Sequence, residues 1–97
     1  MLKSQKKAAQ ISEENGLQCD LAFRLLHTFS ELGEIAGEYT KCTHFGRKKF
    51  FLTEEFKKEF GDFMYLVLLL AQETGLDIDE VIEIGLARFR KKFPLKD

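Results

Sequence analysis

Two pairs of carboxylates stand in the middle of otherwise apolar stretches: Glu31 with Glu34, and Glu59 with Asp62. Residues three apart on a helix project from the same face, so each pair makes a two-carboxylate platform. Two such platforms set opposite each other repel unless they are protonated or share a cation. All-oxygen ligation selects a hard ion, Mg2+ first and Mn2+ next. Either pair alone reads as an ordinary solvated face. Together they read as a metal site, because Phe60, Phe63, Leu66 and Val67 surround Glu59 and Asp62 and argue against free exposure. Glu38 continues the face of Glu34 one turn on. Arg24 and His27 precede Glu31 on the same face, where each is a candidate for contact with a bound phosphate or an ordinary ion-pairing residue. A di-iron carboxylate bundle would need Glu-x-x-His on two helices, and neither pair ends in His. Cys42-x-His44 with Cys19 matches no structural zinc spacing.

The acids can meet only if two helices run antiparallel, and the chain supplies them. Asp20 is a helix N-cap, and Leu21, Leu25, Phe29, Leu32, Ile35, Ala36 and Tyr39 recur at three- and four-residue steps to about Lys41. That period commits one face of the helix to a core. Thr53 caps the next helix, with Glu54 and Glu55 at the positive end of its dipole, and Gly75 stops it after about Thr74. Between them Cys42 to Leu52 loses the periodicity and is longer than a helical hairpin requires, which marks it as a candidate functional loop. A polar first helix is expected from about Leu2 to Asn15, ending at Gly16. A fourth opens at Asp77-Ile78-Asp79-Glu80 and runs to about Lys92, closed by Pro94. The expected architecture is all-α, one four-helix domain over residues 1–97, with no internal repeat.

Composition narrows the partners. The 97 residues hold 15 Lys plus Arg against 16 Asp plus Glu, a formal net charge of -1. That balance argues against a general nucleic-acid coat and against an anionic-membrane binder. The longest apolar run, Phe63 to Ala71, falls well short of the roughly 20 residues that span a bilayer, so no membrane anchor is expected. A chain this short builds a small core, so self-association is expected. The two cysteines form no C-x-x-C pair and read as free thiols of a reducing compartment. The basic start, Met1 to Lys7, is followed by no apolar stretch of a secretory signal, and a cytoplasmic location is expected.

The order of these motifs resembles the MazG-like, all-α nucleoside triphosphate pyrophosphohydrolases. Their E-E-x-x-E on one helix and E-x-x-D on the next appear here as Ser30-Glu31-Leu32-Gly33-Glu34 and Glu59-Phe60-Gly61-Asp62. The likeness extends through Phe63 to Ala71, the Gly-Leu-Asp-Ile-Asp-Glu start of the fourth helix and the ending Arg88 to Pro94, and so covers about Asp20 to Pro94. It implies hydrolysis of a nucleotide between the α- and β-phosphates, with Mg2+ (or Mn2+) held by Glu31, Glu34, Glu59 and Asp62. It also implies a homodimer or homotetramer with the pocket near the subunit interface. The family's basic residues on the last helix map onto Arg88, Lys91 and Lys92, whose other role is to complement the helix dipole.

One departure matters. Ser30 stands where many members carry the first Glu, which puts the number of metals and the general base in question; Glu34 and Glu38 are the candidates for that base. Arg47, Lys48 and Lys49 are candidates for the triphosphate tail, with His27 beside them as a phosphate contact. Phe45, Phe50, Phe51 and Tyr65 are candidates for stacking on a base. Two other readings stand beside this one. One is a non-catalytic helical oligomer that binds a nucleotide or a protein partner; the other is a related pyrophosphohydrolase acting on phosphoribosyl-ATP.

Overall fold

The computed structural model describes residues 2–96. Among them are four helices and no strand: α1 (Lys3–Glu14), α2 (Leu21–Cys42), α3 (Glu54–Glu73) and α4 (Ile78–Lys92). Three start where the sequence supplies a cap. The Asp20 carboxylate accepts from the Ala22 N–H, the Thr53 hydroxyl oxygen from the Phe56 N–H and the Asp77 carboxylate from the Asp79 N–H. Each removes one of the unpaired donors that a helix start leaves behind. α1 has no such cap. At the other ends Gly16 and Gly75 take positive φ, +60° and +76°, which glycine adopts without a Cβ penalty.

α2 and α3 pack along each other, and α1 packs on α3. The pairing of α2 with α3 is antiparallel. Near the start of α2, Arg24 meets Glu73 at the end of α3, while at the opposite end the Tyr39 ring stacks on Phe50, which in turn meets Phe56 edge-on. The core is small: Ala8 from α1 with Leu66 and Leu69 from α3, flanked by Tyr65 and Leu68. α4 makes little contact with the other helices, and Ile78 is its one buried residue. The chain is therefore a three-helix sheaf with a fourth helix standing off it, and not a closed four-helix bundle. Its radius of gyration, 16.4 Å, exceeds the about 12.5 Å expected of a compact chain of this length.

α2 is rotated by roughly 70° from its apolar period. The stripe it buries is Arg24, Thr28, Ile35 and Cys42, spaced at four and seven residues. Of the expected core face only Ile35 is buried; Leu21, Leu25, Phe29, Leu32 and Tyr39 are exposed. The reason lies in the buried polar groups. Arg24 donates from Nε to the Glu73 carboxylate and from Nη2 to the Leu17 carbonyl, both at 2.8 Å, which ties the α1–α2 connection and the end of α3 to this side of α2. Thr28 satisfies its hydroxyl on the Arg24 carbonyl at 2.7 Å.

A second polar clasp sets the α3–α4 corner. Gln5 is completely buried, and its amide NH2 donates to the Gln72 side-chain oxygen at 3.3 Å and to the Leu76 carbonyl at 2.9 Å. Its side-chain oxygen accepts the Ile78 N–H at 2.9 Å. One side chain of α1 thus satisfies backbone groups on both sides of the turn into α4. Replacing it strands two of them, each a loss of about 1–3 kcal/mol. Gln5→Leu is expected to lower the unfolding free energy by about 2–4 kcal/mol in urea titrations.

Candidate metal centre

The acidic residues come from the inward side of α2 and the facing side of α3. An antiparallel pair sets Glu31 beside Asp62 and Glu34 beside Glu59, because one rises along its helix as the other descends. The structure brings carboxylate oxygens of Glu31, Glu59 and Asp62 to within 4.8 Å of one another. Oxygens sharing one Mg2+ at about 2.1 Å stand about 3–4 Å apart, so side-chain rotation alone closes the remaining gap. Three protein oxygens would leave about three coordination positions for water or phosphate. The set therefore fits a hard divalent cation.

Glu34 lies outside this tight group. A step of three residues turns it 60° away from Glu31, and its side is exposed. It still acts on the site. Partial burial pushes the Glu59 carboxyl above its ordinary pKa, and the neighbouring charge of Glu34 raises it further, followed by Asp62, Glu31 and Glu38. Four other carboxylates thus bear on the Glu59 carboxyl. Glu38, the last and weakest of these influences, pairs with Lys41 at 3.3 Å.

An open pocket of about 220 Å3 adjoins the cluster, lined by His27, Glu31, Asp62, Tyr65 and Leu66. Nε2 of His27 stands 3.5 Å from Glu31. The Tyr65 hydroxyl is buried with no hydrogen-bond partner, alone in this among the described side chains. A buried phenol normally finds one, so this donor is available to a bound group.

The structure thus gathers Glu31, Glu59, Asp62, His27 and Tyr65, with Glu34 and Glu38 on the α2 flank. It does not bring the basic residues there. Arg47, Lys48 and Lys49 sit in the α2–α3 connection beyond the end of α2, and Arg88, Lys91 and Lys92 lie on the outstanding α4; none lines the pocket. Arg24 is committed to Glu73 and Leu17. In the connection, His44 and Phe45 hold positive φ, +50° and +63°, before Gly46 at +85°. The buried Thr43 hydroxyl, donating to the Tyr39 carbonyl and accepting from Gly46 N–H, holds that turn in place. Phe45 points outward as a result, and Phe50 joins Tyr39 and Phe56.

No family model, curated protein or solved structure matches the chain. The site must be judged on its own chemistry.

The raised Glu59 pKa has a pH consequence. The folded chain holds this proton more tightly than the unfolded chain does, so this group's contribution to stability falls as pH rises from the ordinary glutamate value through the raised one. Metal-free protein is expected to gain melting temperature on acidification across that window, with a smaller gain in Glu59→Gln. Mg2+ is expected to raise the melting temperature at pH 7 and to lose that effect as the carboxyl protonates. Thermal melts across pH, with and without Mg2+, read both effects.

Proposed function

We propose that this chain is a Mg2+-dependent nucleoside triphosphate pyrophosphohydrolase, cleaving between the α- and β-phosphates to give a nucleoside monophosphate and pyrophosphate. A role in clearing modified or surplus nucleotides follows from that activity. The observation that carries the reading is the convergence of Glu31, Glu59 and Asp62, from two helices, with Glu34 and Glu38 adding to the negative field. So many carboxylates repel a triphosphate unless a cation stands between. Glu31, Glu59 and Asp62 would hold Mg2+, with Mn2+ as a substitute. When bound, the ion supplies charge neutralisation of phosphate oxygens and polarisation of the phosphorus.

The chain's own residues take the remaining tasks. Water attacks the α-phosphorus, the bond from that phosphorus to the bridging oxygen breaks, and the water's proton passes to a carboxylate. Glu34 is the favoured acceptor: it is exposed beside the cluster and carries no ion pair among the described residues. Glu38, held by Lys41, is the second choice. His27 and the Tyr65 hydroxyl line the pocket as donors to substrate oxygens. Arg47, Lys48, Lys49, Arg88, Lys91 and Lys92 are secondary phosphate contacts in this reading, and the protein works as a homodimer or homotetramer.

Pyrophosphate release from a panel of nucleoside triphosphates with Mg2+ tests the activity. Glu59→Gln and Asp62→Asn are each expected to lower it by about 100-fold or more while the helices remain folded. Glu34→Gln is expected to lower turnover more than Glu38→Gln. No release from any triphosphate, or release indifferent to Glu59 and Asp62, contradicts the proposal.

A further inference from the structure

One large surface has no use in the site. The side of α2 turned away from α3 runs through Leu26, Phe29, Gly33 and Gly37 without a charged residue, and Leu26 and Phe29 are 70% and 76% exposed. α4 presents a second apolar stripe, Ile82, Leu86, Phe89 and Phe93, at four- and three-residue steps continuing from the buried Ile78. Along it lies a shallow hollow of about 550 Å3 walled by α4 residues alone, with Glu83 and Arg90 at its edges. Among the described residues nothing covers either stripe.

The surface area says how much is missing. The chain exposes 7760 Å2, roughly 2,000 Å2 more than the about 5,700 Å2 of a folded monomer of 11.3 kDa. A standard interface takes about 800 Å2 from each partner, and obligate homodimers take upward of about 1,000 Å2. The excess is enough for an obligate interface. Monomeric proteins seldom leave an apolar patch beyond a few hundred Å2.

The glycines of α2 point the same way. Gly33 and Gly37 lie one turn apart in the helix interior, where glycine is roughly 0.5–1 kcal/mol worse than alanine. A Cβ at either position would meet nothing within 4 Å, so the protomer itself gives no reason for glycine there. Both stand on the uncovered side. Small residues at that spacing let another helix approach closely.

From these observations we infer that a second copy of this chain covers the uncharged side of α2 and the apolar stripe of α4, with one of its helices crossing α2 at Gly33 and Gly37. It takes up the oligomer of the proposed function and names its surface. The readout is mass, so its failure and a failure of pyrophosphate release are told apart. Light scattering on the full chain at micromolar concentration is expected to give at least twice 11.3 kDa. Gly37→Leu and Phe29→Glu are each expected to raise the dissociation constant about tenfold or more, while Phe45→Ser, exposed but off this face, leaves it unchanged. Should a variant fail to fold, the photo-crosslinker p-benzoylphenylalanine decides: at position 26 it is expected to give a covalent dimer under ultraviolet light, and at position 58 on α3 it is not. A monomeric wild type overturns the inference. So does an assembly indifferent to both variants, or one that cross-links from position 58 and not from 26.

Discussion

Charge on the α2–α3 seam is the constraint on which the rest depends. Burying part of a helix face that carries Arg24, Glu31 and Glu38 is unfavourable unless each charge finds an opposite or a shared cation. Arg24 finds Glu73 and the Leu17 carbonyl at one end of the seam. Glu38 finds Lys41 at the other. Between them Glu31, Glu59 and Asp62 stand together with His27 beside Glu31, and burial first, then the neighbouring carboxylates, push the Glu59 carboxyl above its ordinary pKa. The ends of the seam are satisfied and its middle is not. A cation in the middle would complete the pattern.

Turning the charged side of α2 toward α3 leaves the apolar side outward. The protomer therefore has a small true core, Ala8 with Leu66 and Leu69, and a large uncovered one. The same rotation places acids where a metal could be held between two helices and leaves a surface suited to a second copy. Gln5 adds the third element. By satisfying both sides of the α3–α4 turn it fixes where α4 departs, so that helix leaves the sheaf with its apolar stripe uncovered.

Much of this was legible in the residues. Asp20, Thr53 and Asp77 cap their helices as their types require, and Gly16 and Gly75 end them at positive φ. The i,i+3 spacing of the acids, combined with antiparallel helices, was enough to foresee Glu31, Glu59 and Asp62 together, because it depends only on helical geometry. What periodicity could not say is which body the apolar stripe of α2 packs against. Leu21, Leu25, Phe29 and Leu32 mark a face to be covered, but not whether the cover comes from the same chain. Arg24, Glu31 and Glu38, seven apart, traced the true inward stripe, and their charge disguised it. Glu34 fell outside the tight group because three residues on a helix share a face only to within 60°. The role of Gln5 left no trace in sequence, since its partners, two of them backbone atoms, lie more than sixty residues away.

The middle of the α2–α3 seam is proposed as a divalent-cation site. Anomalous diffraction from crystals grown with Mn2+ tests it most directly. One or more Mn2+ peaks are expected between α2 and α3, with oxygens of Glu31, Glu59 and Asp62 at about 2.0–2.2 Å. No peak in the seam at millimolar Mn2+, or a peak held only by other residues, would contradict it.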